Sequence, residues 1–191
     1  VGIWQDKFGI RVLQGYGVTE ASPVIAVNTP LNNRRGTAGQ LLPGMEYYLA
    51  PVPGIEPGGR LVVRGPNAML GYLLPDRNDI VPVATDRGPG WHDTGDIVTV
   101  DAAGYITLLG RAKRFAKVGG EMVSLTAVED LALRVWPGKS HAALSLPDER
   151  KGEKIVLVTG HHAATRRELH EAARQMQYGE LFLPRKVVLI D

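Results

Sequence analysis

The sequence contains no cysteine among its 191 residues. This absence excludes a disulfide framework, a thiolate metal site and a cysteine nucleophile, and it permits a reducing cytoplasm without proving one. An excess of charge of one sign is also missing, because 22 Lys and Arg against 20 Asp and Glu leave a formal net charge of +2. So small a charge gives no indication of a nucleic acid or an anionic membrane as partner.

Long hydrophobic runs are missing as well. No uninterrupted apolar run approaches the roughly 20 residues that span a bilayer, and Val1 to Gly9 lack the basic start and apolar core of a signal peptide. We therefore expect a segment that neither spans a membrane nor carries a visible export signal. The 44% hydrophobic and 22% charged content is ordinary for a folded globular protein.

A glycine-flanked segment, Gly15-Tyr16-Gly17-Val18-Thr19-Glu20, carries an aromatic ring, a hydroxyl and a carboxylate. Glycine allows a tight turn and close approach to a ligand, Tyr16 offers a flat face for a base, and Thr19 can donate to a phosphate. Glu20 is a hard oxygen ligand of the kind that Mg²⁺ prefers. The set suits a nucleotide and its metal, although a Gly-Tyr-Gly turn after an apolar strand is commonly only a turn.

Two later segments accompany it, namely Trp91-His92-Asp93-Thr94-Gly95-Asp96 and the run from Gly110 to Gly120. In this order and spacing, the three segments resemble the signature segments of the adenylate-forming enzymes, a superfamily of acyl-CoA synthetases, nonribosomal peptide adenylation domains and luciferases. Together with Gly36-Thr37, Leu42–Met45 and Val52–Glu56, the last segment looks closest to the bacterial acyl-(acyl-carrier-protein) synthetases of bifunctional 2-acylglycerophosphoethanolamine acyltransferases.

The resemblance implies a nucleotide site with ATP and Mg²⁺ as cofactors. It places Tyr16, Gly17, Asp96 and Arg111 at the nucleotide, with the Asp96 carboxylate accepting from the ribose hydroxyls and the Arg111 guanidinium donating to the ribose. Thr19 and Glu20 would be catalytic, and Glu20 would hold the Mg²⁺ ion. The alternative for Asp96 is an aspartate that holds a turn. Trp91 is expected to be a packing residue.

Other roles implied by the resemblance concern a second domain. Lys113 would be the hinge about which this small domain rotates between adenylation and thioester formation, a role in backbone torsion and not in proton transfer. Gly119 and Gly120 would form one wall of the tunnel for the pantetheine thiol, and their alternative is an ordinary hairpin turn. Glu129 fills a position where the family carries Glu, and its alternative is a solvated helical carboxylate. Arg114 and Lys117 would by default lie on a solvated basic surface.

The pattern of apolar residues predicts a fold of class α/β and α+β, with domains 1–110 and 111–191. In the first domain we expect a helix end stopped by Gly9, then a buried strand at Ile10–Leu13 leading into the Gly15–Gly17 turn, which would set the motif at the end of a strand. Short strands at 24–27, 45–50, 60–64, 97–100 and 105–109 predict an antiparallel, barrel-like region with an exposed loop at 74–90.

The second domain is predicted as a small α+β domain. A helix from residue 125 should end at Pro137-Gly138, and strands are expected at 141–146, 154–159 and 186–190. Thr165 to Glu168 reads as a capping box opening a helix to about Tyr178, with Gly179 as its stop. The histidines and serines show no spacing typical of a zinc site or a nucleophile elbow.

The function implied by the resemblance is activation of a fatty acid as acyl-AMP, followed by transfer of the acyl group to acyl carrier protein. The acyl group would then pass to a lysophospholipid on an upstream domain. We expect the phosphate-binding loop before Val1 and the adenylating lysine beyond Asp191, so this stretch would be inactive alone. A cytoplasmic location, or the inner face of the cell membrane for the full-length protein, is expected.

Two competing functions remain open. A long-chain fatty acyl-CoA ligase would share every motif and differ in using coenzyme A as thiol acceptor. A non-catalytic module could instead bind RNA or a protein through the basic run that begins at Arg111. That reading would need stacking aromatics and a wider basic face, neither of which the sequence shows, so no nucleic-acid partner is expected.

Overall fold

The protein is described from a computed structural model, which covers residues 2–83, 85–150 and 152–190. These residues form two compact units. The first consists of Val1–Val52 and Pro57–Leu109, and the second of Pro53–Glu56 and Gly110–Asp191.

The first unit opens with helix α1, Gly2–Phe8, which ends at Gly9 with φ +66° as predicted. The strand expected at Ile10–Leu13 is wrong, because these residues lie outside any strand and Ile10 is half exposed. The expected turn is itself a strand, β1 (Gly15–Gly17), paired antiparallel with β2 (Val24–Val27). Glycine is required at Gly17 for this close approach, since a Cβ there would lie 1.8 Å from the Pro23 carbonyl oxygen.

The rest of the first unit is a series of short strands. They are β3 (Gln40–Leu41), β4 (Glu46–Ala50), β5 (Gly59–Arg64), β6 (Tyr72–Leu73), β7 (Ile80–Val81), β8 (His92–Val100) and β9 (Ile106–Arg111). The sheets have the orders β1-β2-β3, β4-β5-β8-β9 and β6-β7. The β6-β7 pair extends into the stretch predicted to be an exposed loop.

In the part of the chain that the structure describes, the region predicted to be barrel-like consists of separate sheets and does not form a closed barrel. The first two sheets are joined by a bridge between Gln40 and Tyr105 and by hydrogen bonds from Ala38 N to Ile106 O and from Ile106 N to Gly39 O. Within the described residues, no pairing closes the four-stranded sheet on itself. The two sheets pack around one core of buried apolar side chains, which includes Ile25, Leu61, Val63, Val98 and Ile106.

The second unit has one mixed sheet and two helices. Its elements are β10 (Phe115–Val118), β11 (Glu121–Ser124), α2 (Leu125–Val135), β12 (His141–Asp148), β13 (Gly152–Thr159), α3 (Arg166–Gln175) and β14 (Lys186–Leu189). The antiparallel strand order is β11-β10-β13-β12, and β14 pairs parallel with β13. The two helices bury apolar residues against this sheet, among them Val128, Leu131, Leu169 and Ala173.

The two helices agree with the prediction at three of their four ends. Ser124 accepts from the Ala127 amide at the start of α2, and the Thr165–Glu168 capping box is complete at the start of α3. Helix α2 ends before Pro137 as predicted. Helix α3 stops at Gln175, earlier than expected, because Gln177 with φ +59° takes the left-handed position that was assigned to Gly179.

The predicted fold class is confirmed, since both units combine sheets with helices. Among the residues that the structure describes, no helix is long and apolar enough to cross a membrane.

Candidate nucleotide site

The buried Tyr16 and Asp96 side chains meet in the first unit. The Tyr16 hydroxyl donates to Asp96 Oδ2 at 2.6 Å, and the two residues are 9% and 5% exposed. Tyr16 lies in β1 and Asp96 in β8, so the bond joins two sheets across 80 residues of sequence. Sequence reasoning assigned both residues to a nucleotide but did not foresee that they bind each other.

A bulge in β8 directs Asp96 toward Tyr16. In the β5–β8 pairing, Arg60 faces Ile97 and Val62 faces Asp93, so Thr94, Gly95 and Asp96 stand opposite Leu61 alone. Thr94 Oγ1 donates to the Leu61 carbonyl at 2.9 Å and accepts from the Asp96 amide at 3.1 Å. Gly95 adopts φ +70°. Such an insertion re-aims a side chain, which explains why a strand was not predicted before Ile97.

Trp91 and Asp93, in the same motif, make structural contacts within the first unit. Trp91 is buried and packs edge-on against Tyr48, with ring centroids 5.3 Å apart, which agrees with the expected packing role. The Arg64 guanidinium lies 4.8 Å from the centre of the Trp91 ring. Asp93 pairs with Arg60 at 2.8 Å across β5 and β8.

Thr19 and Glu20 lie on a short 3₁₀ turn, Thr19–Ala21, that follows β1. The turn is held from outside by Asn67, whose side-chain amide donates to the carbonyls of Ala21 at 2.6 Å and Val24 at 2.8 Å. Asn67 thereby fixes the segment that carries the predicted metal ligand. The sequence gives no sign of this role, because Gly65-Pro66-Asn67 has the composition of an ordinary turn and does not show that Asn67 binds a distant segment.

Glu20 is tied to the same neighbouring segment by two bonds. Its carbonyl accepts from the Met69 amide at 2.8 Å, and its Oε1 accepts from the Tyr72 hydroxyl at 3.1 Å. Burial raises the pKa of the Tyr72 hydroxyl, and the hydrogen bond to Glu20 and the charge of Glu20 raise it further. The half-buried Glu20 carboxylate is therefore held in place on the turn.

The division between the two units falls within β9, so Arg111, its exposed last residue, belongs to the second unit. Lys113 lies in a 3₁₀ turn, Ala112–Arg114. Arg114 does not lie on a free basic surface as expected: its guanidinium binds Glu129 Oε1 at 2.6 Å and the Ala143 carbonyl at 3.3 Å. The same Glu129 oxygen accepts from the Ala143 amide at 2.7 Å. Reading Glu129 as a solvated carboxylate is therefore wrong.

Gly119 and Gly120 form the two-residue turn of the β10–β11 hairpin, in which Val118 faces Glu121. Their φ values of +63° and +94° are the left-handed values that such turns favour. A Cβ at either position would meet nothing within 4 Å. The glycines are thus explained by backbone conformation, and the tunnel role stays a prediction.

A family model described as AMP-binding enzyme matches residues 2–73, which include β1 and the Thr19–Ala21 turn. This match, together with the relatives described next, supports the AMP-binding enzyme superfamily. The resemblance noted from the sequence is supported at this level.

Curated relatives of this chain include fatty-acid–CoA ligases. A medium-chain fatty-acid–CoA ligase of Escherichia coli K12 is 32% identical over 96% of the chain and 34% of its own length. A long-chain fatty-acid–CoA ligase of Yersinia pestis is 33% identical over 92% of the chain and 32% of its own length. The chain therefore spans about a third of the length of these relatives.

Solved structures give the same fold. ATP-bound MatB from Rhodopseudomonas palustris matches with a TM-score of 0.72 and 26% identity over 98% of the chain and 38% of that protein. O-succinylbenzoate coenzyme A synthetase from Bacillus subtilis, in complex with its acyl-adenylate intermediate, matches with a TM-score of 0.75 and 25% identity over 98% of the chain and 39% of that protein.

Proposed function

We propose that this chain is part of an ATP-dependent acid–thiol ligase, which activates a fatty acid as an acyl adenylate and then transfers the acyl group to a thiol. The observation that carries the proposal is the similarity of the chain to fatty-acid–CoA ligases over 92–96% of its length. The buried Tyr16–Asp96 bond supports it, because the two motifs that the resemblance assigns to one nucleotide meet within one unit.

The donor chemistry of the first unit fits ATP and Mg²⁺. Glu20 supplies a carboxylate, a ligand type suited to Mg²⁺, on a turn that Asn67 holds. Thr19 supplies an exposed hydroxyl beside it. When bound, the metal would supply charge stabilisation for the phosphates. Glu20 would hold the metal, while Thr19 would donate to a phosphate.

Asp96 would accept hydrogen bonds from the ribose, with Tyr16 fixing the orientation of its carboxylate. An oriented carboxylate binds two hydroxyls without reorganisation, and charge-assisted bonds are the stronger ones. Arg111 would add donors to the ribose. The assignment of Arg111, like that of Gly17, rests on the resemblance alone.

We propose further that residues 111–191 act as a small mobile domain, with residues 1–110 belonging to the large AMP-binding domain. Lys113 would be its hinge, and Gly119 and Gly120 would line the thiol tunnel. The Arg114 contacts with Glu129 and Ala143 support the hinge, because they fasten the chain to the second unit immediately after Lys113.

The proposal has two versions, which differ in the thiol that accepts the acyl group. Coenzyme A is supported by the names of the relatives. Acyl carrier protein, with onward transfer to 2-acylglycerophosphoethanolamine in phospholipid turnover, is supported by a sequence resemblance. The segments Gly36-Thr37, Leu42–Met45 and Val52–Glu56 resemble those of the bacterial acyl-(acyl-carrier-protein) synthetases. That second version would place the full-length protein in the cytoplasm, at the inner face of the membrane.

ATP–pyrophosphate exchange by the full-length enzyme tests the nucleotide site. Asp96→Asn should raise the Michaelis constant for ATP or lower turnover by about 10–100-fold, the range expected for one charge-assisted bond. Asp76→Asn, at an exposed position, serves as control. Wild-type kinetics in folded Asp96→Asn would remove Asp96 from the site.

Competition between thiols identifies the acceptor. Radiolabelled fatty acid is supplied with ATP and equal concentrations of coenzyme A and acyl carrier protein. Label on coenzyme A alone supports the ligase of the relatives' type, whereas label on carrier protein, followed by its appearance in phospholipid, supports the acyltransferase-linked version. Label on neither thiol, with exchange intact, would contradict the acid–thiol ligase.

A further inference from the structure

A cavity of about 310 Å³ lies within the second unit, among side chains that the proposed function does not use. Its lining combines cationic groups, two carboxylates and apolar side chains: Val118, Glu153, Lys154, Ile155, Arg166, His170, Glu180, Leu181, Leu183 and Arg185. Val118 and Ile155 are buried, while the charged groups are half-buried or exposed. An apolar surface bordered by charges suits a small polar molecule that also has a carbon skeleton.

Two of the cations are brought together by the parallel pairing of β13 and β14. The register sets Val156 opposite Lys186, and the Arg185 amide donates to the Ile155 carbonyl at 2.8 Å. This bond places Arg185 beside Lys154, although 31 residues separate them in sequence. Lys154 and Arg185 also line an adjoining cavity of about 520 Å³, so they form a wall common to both.

Two further basic groups come from helix α3. Arg166 and His170 are four residues apart, a spacing that sets their side chains on one face of the helix. They line the first cavity together with Lys154 and Arg185. Among the described part of the chain, neither Arg166, Lys154 nor Arg185 forms an ion pair.

We propose that this cavity binds a small phosphomonoester that carries hydroxyl groups. Lys154, Arg166 and Arg185 would hold the phosphate, for which guanidinium groups are well matched. Glu153 and Glu180 would accept hydrogen bonds from the ligand hydroxyls. The apolar side chains that line the cavity would contact the carbon atoms of the ligand. The carboxylates disfavour a bare anion, because each lies on the cavity that the anion would enter.

Calorimetric titration of the full-length protein with glycerol 3-phosphate, in the absence of ATP and thiol, tests the site. The expected result is saturable binding that is weakened about tenfold or more in Arg185→Gln and in Lys154→Gln. Arg174→Gln, on the last turn of α3 and outside both cavities, is the matched control and should bind as the wild type does. Because no ATP is used, failure here leaves the ligase proposal untouched.

Three results would overturn the proposal. The first is binding that Arg185→Gln and Lys154→Gln leave unchanged while both variants melt at the wild-type temperature. The second is inorganic phosphate binding as tightly as glycerol 3-phosphate, which would mean an anion site without recognition of the ester. The third is binding to vesicles of phosphatidate in phosphatidylcholine, lost in Arg185→Gln, with no binding of the soluble ester, which would indicate a lipid headgroup.

Discussion

The Tyr16 hydroxyl donates to the Asp96 carboxylate at 2.6 Å inside the first unit, where both side chains are almost fully buried. A buried carboxylate that loses a donor is left with an uncompensated desolvation cost. We expect Tyr16→Phe to lower the free energy of unfolding by about 1.5–3 kcal/mol, the range for a hydrogen bond to a charged group. Urea denaturation measures this. Tyr47→Phe, on the exposed side of β4, should change it by about 0.5 kcal/mol or less, and equal effects would contradict the buried bond.

Removal of Glu129 should destabilise the second unit. Its Oε1 accepts from both Arg114 and the Ala143 amide, so Glu129→Ala leaves two donors without this acceptor. We expect a loss of about 2–4 kcal/mol, from two bonds of which one is charge-assisted. Asp130→Ala, the exposed neighbour on α2, is the control. Thermal melts of equal midpoint for the two variants would show that the Glu129 contacts contribute nothing.

The Gly119–Gly120 turn predicts a graded series. Space is open at Gly119, so the cost of a side chain comes from φ +63° and not from a clash. Gly119→Asn should be nearly neutral, since Asn tolerates this conformation, whereas Gly119→Val should cost about 1–2 kcal/mol. Chemical denaturation ranks the variants. A thiol-tunnel role would appear separately, as impaired thioester formation by a stable Gly119→Asn enzyme with normal adenylation.

The Tyr72–Glu20 bond predicts a pH dependence. The Tyr72 pKa is raised above 10.0 by burial first and by Glu20 second, so the folded state favours the neutral phenol. The resulting stability is present below the unfolded pKa and is lost as pH rises through the folded pKa. Difference absorbance at 295 nm between the protein and Tyr72→Phe follows this group. In Glu20→Gln its midpoint should fall toward 10.0, and an unchanged midpoint would exclude the Glu20 contribution.

Lys113→Pro tests the proposed hinge in the full-length enzyme. Proline fixes φ near −65°, so rotation about this residue should be restricted and one half-reaction should suffer far more than the other. Single-turnover assays of adenylate formation and of thioester formation measure the two steps. Lys117→Pro, in the paired strand β10 and expected to destabilise the fold, shows the pattern of simple damage. Equal losses in both half-reactions for Lys113→Pro would contradict the hinge.

Local signals predicted the elements that local chemistry determines. The helical stripe that begins at Leu125, the capping box at Thr165 and the strand Val24–Val27 are all present. The Gly15–Gly17 strand was missed because Gly17 allows close contact with the Pro23 carbonyl, and the sequence does not distinguish this use of glycine from its use in a turn. A turn signal and a contact signal use the same residue type.

Links between distant residues could not be foreseen from the sequence. The bulge at Thr94–Asp96 reads as a turn until the partner Leu61 is known, and the Arg114–Glu129 pair reads as two solvated charges. In each case the sequence shows a polar residue that could form a contact. Only the tertiary partner shows whether that residue makes an internal contact or faces solvent.

The Glu129 contacts also bear on how the second unit folds. They join residues 15 and 14 positions apart, within a continuous stretch that runs from Arg114 to β12. The β13–β14 pairing, by contrast, joins Val156 to Lys186. Contacts of short sequence separation cost less loop-closure entropy and tend to form sooner. We therefore expect amide hydrogen exchange during refolding to protect β10, β11 and α2 before β14, so that Arg185 and Lys154 come together late.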